Sequence, residues 1–340
     1  ILRKDHSLKD AYAAFDDKKY AEALDMFQKS YSKIGYEQAA FMAGKMYLAG
    51  LGTQRDTAQA IVWLKKVAEA RFAPGDEQGF DPADPYFMST RSDATMTLAK
   101  IYMTGWDVPQ NPKEARKWYA KADSIGYTPA TYILGQIYQK GYAGNPDMTR
   151  AMTYYTKAGK DGFTSAQYAL GMIYYSGEDG VTADTKLAAQ WLLAAASGGE
   201  ADALYTVGQM YDEGDTLPQD TQKALAYYKA AALKDQPEAQ YALGTYFYAG
   251  EALTKDLSVA RQWFARAAVN GHAEAMYNLA AMLSQGQGGD KDMVMAYSWF
   301  RLAAMSGLEK ATPAAQATKT KLSKDEVAKA ESLLNPPAAS

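Results

Sequence analysis

The side chains that most often make and break bonds are scarce in this chain. Its 340 residues contain two His and no Cys. Without Cys there are no thiolate nucleophiles, no Cys-ligated zinc or iron–sulfur sites and no disulfides. His6 lies near the start of the chain and His272 in a turn far from it. Each reads as a solvated or turn histidine rather than a functional one. No nucleophile elbow, phosphate loop, dinucleotide fingerprint, His-Glu-x-x-His zinc pair or calcium loop occurs. One series of acids recurs in phase: Asp56, Asn111, Asp147, Asp184, Asp220, Asp256 and Asp292. Acid–base chemistry needs two carboxylates of unequal pKa in one pocket. Acids spread one unit apart along the chain do not supply that pair. They suit helix N-caps, where a side-chain oxygen accepts a hydrogen bond from an otherwise unpaired backbone N–H. The chain therefore reads as a non-enzyme, with no cofactor and no metal expected.

The elements that carry these residues repeat. Segments 37–72, 92–127, 128–163, 164–199, 201–236, 237–272 and 273–308 align with one another. A small residue holds one register: Gly44, Ala99, Gly135, Gly171, Gly208, Gly244 and Ala280. From Ala99 onward the steps are 36, 36, 37, 36 and 36, and the first step is 55. Such a period marks a helical array rather than two ordinary domains. Within each segment the spacing predicts two helices. The first carries Ala, Gly and an aromatic on one face, as at Ala166, Gly171 and Tyr174. A helix-interior Gly costs about 1 kcal/mol relative to Ala, so its recurrence implies close approach of a neighbouring helix. Another glycine ends this helix in every unit, from Gly50 to Gly286, and reads as a left-handed cap. The second helix begins at the Asp or Asn. Ala60, Ala115, Ala151, Ala188, Ala224, Ala260 and Ala296 follow four residues later. Three residues further on come Trp63, Trp118, Tyr154, Trp191, Tyr227, Trp263 and Trp299, read as core.

This pattern resembles the Sel-one-like repeat (SLR), a relative of the tetratricopeptide repeat. Ala239-Gln240-Tyr241-Ala242-Leu243-Gly244 with Ala260-Arg261-Gln262-Trp263-Phe264 matches it closely. The resemblance implies an all-α, right-handed superhelical solenoid of antiparallel helix pairs, in one continuous domain. Residues 1–36 read as a capping helix pair, 37–308 as seven units with a loop inserted at 73–91, and 309–340 as closing helices and a frayed tail. Within the closing region, helices are expected over 309–317 and 323–334, the latter opened by a Ser323–Glu326 capping box.

In the related repeat, the register three residues before the small residue faces a concave groove. Here it holds Phe41, Met96, Tyr132, Tyr168, Tyr205, Tyr241 and Tyr277. Positions one and four past the small residue share a helix face. They hold Lys45 and Leu48, Lys100 and Met103, Gln136 and Gln139, Met172 and Tyr175, Gln209 and Asp212, and Thr245 and Tyr248. Met and Tyr among polar neighbours suit a protein-binding surface. The candidate contact residues are accordingly Lys45, Lys100, Met103, Tyr132, Gln136, Gln139, Tyr168, Met172, Tyr175, Tyr205, Gln209, Asp212, Tyr241 and Tyr248. The insertion adds Asp76, Phe80, Asp84, Tyr86 and Phe87. Its Pro and Gly preclude a long helix and its aromatics preclude a purely solvated linker. It is expected to fold against the first two full units, as a plug or as a second contact surface.

The expected function is a protein-interaction scaffold with another protein as partner, monomeric on its own. The net charge of −3 argues against nucleic acid, and no apolar run is long enough to span a membrane. Proteins that resemble this chain in bacteria are often exported adaptors or regulators of the envelope. The alternative the resemblance implies is a periplasmic immunity protein against a secreted phospholipase-type effector, and more remotely a β-lactam-binding or hydrolysing enzyme. The chain starts at Ile1, which leaves a removed leader open, so a periplasmic or otherwise exported location is expected, with the cytoplasm as alternative.

Overall fold

Seven helix starts share one chemistry. In the computed structural model, which describes residues 6–71 and 79–334, each second helix begins at the Asp or Asn singled out above. Its side chain accepts from a backbone N–H in the first turn: Asp56 from Gln59 at 2.9 Å, Asn111 from Glu114 at 3.1 Å, Asp292 from Met295 at 2.9 Å. Asp256 accepts from both Ser258 and Val259 at 3.0 Å. Asn places an oxygen in the same position, so Asp256→Asn is expected to leave the melting temperature nearly unchanged. Asp256→Ala should cost about 1 kcal/mol. Equal, large losses in both variants would show a role for the charge itself.

The described residues form eighteen α-helices, one 3-10 turn (Glu178–Gly180) and no strand. The first pair is α1 (Ser7–Asp16) and α2 (Tyr20–Ile34). Seven pairs follow: α3 (Glu37–Ala49) with α4 (Thr57–Ala68), α5 (Thr90–Thr104) with α6 (Pro112–Ser124), α7 (Thr128–Lys140) with α8 (Met148–Lys160), α9 (Thr164–Ser176) with α10 (Thr185–Ser197), α11 (Ala201–Glu213) with α12 (Thr221–Ala232), α13 (Pro237–Ala249) with α14 (Leu257–Val269), and α15 (Ala273–Gln285) with α16 (Met293–Met305). Both closing helices, α17 (Ala311–Lys319) and α18 (Lys324–Leu334), pack on α16. The Ser323–Glu326 capping box is present: Ser323 N–H donates to Glu326 at 2.8 Å, and Glu326 N–H to Ser323 Oγ at 3.3 Å.

By its contacts the chain divides into two compact units. One is Ile1–Leu170 with Gly177–Thr182; the other is Gly171–Ser176 with Ala183–Ser340. Repeat arrays make contacts mainly between neighbours, so no central core unites all pairs.

Inside the pairs, the small-residue register is packing-limited. A Cβ at Gly44 would stand 2.9 Å from Leu64 Cγ, at Gly208 2.8 Å from the Tyr228 ring, and at Gly244 2.7 Å from the Phe264 ring. These contacts correct one expectation. The residues that fill the core are not the Trp/Tyr series but those immediately after it: Leu64, Tyr119, Tyr155, Leu192, Tyr228, Phe264 and Phe300, all buried. Of the expected series only Trp118 is buried; Trp63, Tyr154, Trp191, Tyr227, Trp263 and Trp299 are half-buried. The reason is helical geometry. The buried face of the second helix runs through the repeated Ala, the residue four later and the residue seven later, as in Ala260, Phe264 and Ala267. The Trp, three after the Ala, lies at the flank of that stripe.

The insertion also departs from expectation. Its last two residues, Thr90 and Arg91, already belong to α5, capped by Ser89. Arg91 is buried and paired with Glu37 at 2.7 Å, which ties α5 to α3. The loop reaches beyond the first two full units into the third. The rings of Phe80 and Tyr86 stand edge-on to Phe163 at 6.1 and 5.9 Å, and Pro82 lies beside Gly162. Phe163 supplies an aromatic at the turn after α8, and Phe80 joins a small cluster there with Tyr132, Ala158 and Ala166. Phe80 is thus a packing residue. Asp84 is exposed, with its N–H bonded to the Asp81 carbonyl at 3.1 Å. Tyr86 and Phe87 remain exposed, Tyr86 at 63%. Asp76 lies outside the described residues.

Candidate functional site

The candidate residues fall on the first helices of both units, and each unit is taken by itself. In the first, Lys45 is half-buried and committed, paired with Asp93 at 3.3 Å and lying 5.2 Å from the Phe41 ring centroid. Leu48 is buried, which removes it from any groove lining. Lys100 is exposed, and Met103 packs against the core from the side. Tyr132 leans on Tyr155 and Phe163, with centroids at 5.7 and 5.4 Å, and accepts a hydrogen bond from Gln136 at 3.1 Å. Gln139 accepts from the Tyr155 hydroxyl at 2.6 Å. Tyr168 is half-buried. In this unit the register is mostly occupied by packing and internal bonds.

In the second unit the same register is more open. Met172 and Gln209 are half-buried. Tyr175 is 38% exposed and donates its hydroxyl to Asp215 at 3.3 Å. Tyr248 is 39% exposed and donates to Gln287 at 3.4 Å. Asp212 accepts from the hydroxyls of Tyr228, at 3.2 Å, and Tyr246. Tyr205 leans on Tyr228 with centroids 5.8 Å apart. Tyr241 stacks on His272 at 4.4 Å. His272 itself caps α15, its Nδ1 accepting from the Ala275 N–H at 3.1 Å, and burial lowers its pKa. That cap requires the neutral ring, so His272 is a structural turn residue.

A relation absent from the sequence reading recurs within both units. The side chain four past the small residue donates to the residue just after the cap glycine of the next first helix. Gln139 meets Glu178 at 3.4 Å, Tyr175 meets Asp215, and Tyr248 meets Gln287. The signal was present as a constant offset of 39–40 residues between donor and acceptor. Tyr246, Glu238 and Glu251 were likewise missed, because no single-repeat pattern marks them.

Two cavities open on the first helices of the second unit. One, of about 180 Å³, lies between Tyr241, Tyr248, Phe264, Met282 and Gln287. The other, of about 350 Å³, lies between Tyr205, Asp212, Glu238, Tyr241, Tyr246 and Glu251. Burial raises the Tyr205, Tyr228 and Tyr246 phenols above their ordinary range, and nearby carboxylates add to the shift. The phenols therefore stay protonated at neutral pH and serve as hydrogen-bond donors. This surface offers aromatic faces, hydroxyls and carboxylates. Among the described residues no group of His, Asp and Glu is placed to hold a metal ion.

The Sel1 repeat model matches seven times, over residues 37–71, 92–122, 128–163, 164–200, 201–235, 237–272 and 273–308. The chain belongs to the Sel1 repeat family. Its fold is similar to that of a Sel1 repeat protein from Oxalobacter formigenes, at 27% identity, a TM-score of 0.74, and coverage of 93% of this chain and 88% of that one. It is also similar to c5321, a protective antigen present in uropathogenic Escherichia coli strains displaying an SLR fold. That match has 25% identity and a TM-score of 0.62, and covers 92% of this chain and 70% of the other. In this Sel1 repeat protein no described helix is long and apolar enough to cross a membrane.

Proposed function

We propose that this Sel1 repeat chain is a non-enzymatic scaffold that binds a partner protein on the first-helix face of its second unit, as an exported adaptor or regulator of a bacterial envelope. The observation that carries the reading is the pair Tyr175 and Tyr248. They occupy the same register in two repeats and are exposed; each hydroxyl makes one long bond, and the Tyr248 ring also leans on Phe264 and lies near Lys255. Large amphipathic rings with an exposed face are typical binding anchors. Exposed Tyr86 and Phe87 form a second candidate surface in the first unit. The exported placement is supported by the similarity to a chain described as a protective antigen.

Affinity capture from the native bacterium, with the intact chain as bait, identifies the partner; fractionation of the same cells tests the location. Tyr175→Ala and Tyr248→Ala should each weaken the captured complex by more than about tenfold, corresponding to roughly 2 kcal/mol for a buried anchor. Their melting temperatures should stay close to wild type. Wild-type affinity in both variants defeats the second-unit surface and turns attention to Tyr86 and Phe87.

A further inference from the structure

We infer that the cavity between α13 and α15 takes up a proline ring from an extended segment of the partner protein. This rests on the binding surface proposed above and names the residue type that the surface selects. The cavity arises where the last repeat departs from its register. One position past the small residue, six repeats carry Lys45, Lys100, Gln136, Met172, Gln209 and Thr245, and the seventh carries Ala281. Two positions before the small residue, where Ala169 and Ala242 stand in other repeats, the seventh carries Asn278. Both departures line the same space of about 180 Å³. The first removes a long side chain, and the second adds an amide.

The floor is apolar. Phe264 and Met282 are each 2% exposed, and the Tyr241 and Tyr248 rings lean on Phe264 with centroids at 5.7 and 6.4 Å. A cavity of this size holds one ring, since about 150 Å³ suffices for benzene. No lining residue carries a charge; Lys255 lies 5.7 Å from the Tyr248 ring centroid but does not line the cavity. A charged occupant would therefore be buried unpaired, which is costly. Polar groups with capacity to spare are few. Thr245 donates to the Tyr241 carbonyl at 3.1 Å, and Gln287 accepts from Tyr248. The half-buried Asn278 amide and the exposed Gln285 amide make no side-chain hydrogen bond among the described residues. A sugar ring, with a hydroxyl on nearly every carbon, would leave most of them unpaired here. A proline segment meets both features. Its ring packs on aromatic faces, and its extended backbone leaves carbonyls unpaired, so that one can accept from Asn278. Its fixed φ also lowers the entropy lost on binding.

The test uses the full chain, isotopically labelled, and follows backbone and side-chain amide signals. The probes are acetylated, amidated hexaproline, a Gly-Ser hexapeptide carrying one central phenylalanine, and maltohexaose. Hexaproline should give saturable shifts at the Asn278 side-chain amide and in α13 and α15, and should bind at least about tenfold tighter than either other probe. Ala281→Gln restores the side chain that Gln136 and Gln209 place at this register. It should keep the wild-type urea midpoint and weaken hexaproline by about tenfold or more, because the ring's space is filled. Asn278→Ala, which supplies the residue found at Ala242, should also keep the midpoint and weaken hexaproline by about fivefold. Absence of saturable shifts, equal or tighter binding of the phenylalanine peptide or of maltohexaose, or unchanged affinity in either variant overturns the proline site. A captured partner that loses binding on Tyr175→Ala but not on Ala281→Gln overturns the proline site alone, and the scaffold reading stands. Hexaproline binding that Ala281→Gln abolishes, with a captured partner indifferent to Tyr175→Ala and Tyr248→Ala, supports the proline site and defeats the surface proposed for that partner.

Discussion

Phe264→Ala is expected to destabilise the second unit by about 3–5 kcal/mol, the usual cost of emptying a buried aromatic site. Trp263→Ala, one residue earlier, should cost less than about half as much. Phe264 is 2% exposed and its ring fills the space that Gly244 leaves open, whereas Trp263 is half-buried. Its other support is an Arg266 guanidinium 4.9 Å from the ring centroid, a contact that water can largely replace. Repeat arrays need not unfold in one step, so a single melting midpoint can hide the difference. Hydrogen exchange of the α13 and α14 amides under mild urea resolves it. A larger loss of protection in Trp263→Ala than in Phe264→Ala would return the core to the tryptophan register.

Gly171→Leu should be among the most damaging single substitutions at the small-residue register. A Cβ there already stands 2.5 Å from Leu192 Cγ and 3.2 Å from the Leu192 backbone nitrogen. The side chain can turn aside, but the backbone of α10 cannot do so without moving the helix. Overpacking of a closed core typically costs about 1–3 kcal/mol, and a leucine adds three carbons beyond the one that clashes. Combining it with Leu192→Ala opens the space, so the double variant should recover part of the loss in urea unfolding; the interaction energy of that cycle isolates the contact. Unfolding of Gly171→Leu at the wild-type denaturant midpoint would mean the glycine serves something other than close approach.

The repeat made most of the architecture readable. Seven glycines or alanines in one register demanded a close helix neighbour, and seven Asp or Asn residues demanded helix starts. Both demands concern one turn or one pair of helices, and a repeated local signal is hard to miss. The core register lies one residue past the Trp/Tyr series, whose large side chains are the more conspicuous in sequence. The spacing of four and seven from the alanine, which defines the buried face, pointed to Leu64 or Phe264 instead. The candidate surface was only half legible. Position along the helix showed which residues leave the core, as for Tyr175 and Tyr248. It did not show which of those are already engaged, as Lys45 is by Asp93 and Gln139 by Tyr155. Such partners come from other elements at separations that no local pattern encodes.

The contact of Phe80 and Tyr86 with Phe163 alters how the first unit can come apart. In a simple array each element is coupled only to the next, so ends fray one step at a time and a defect stays where it arises. Residues 80–86, which precede α5, skip a place: they fasten onto the turn after α8. Such a link makes a short one-dimensional chain behave locally like a closed ring. Loosening the pair α5 and α6 alone does not release the segment that precedes it, and detaching Phe163 loosens both flanks together. Residues 80–86 thereby add a coupling between non-adjacent elements that the repeats, being nearly alike, do not supply themselves.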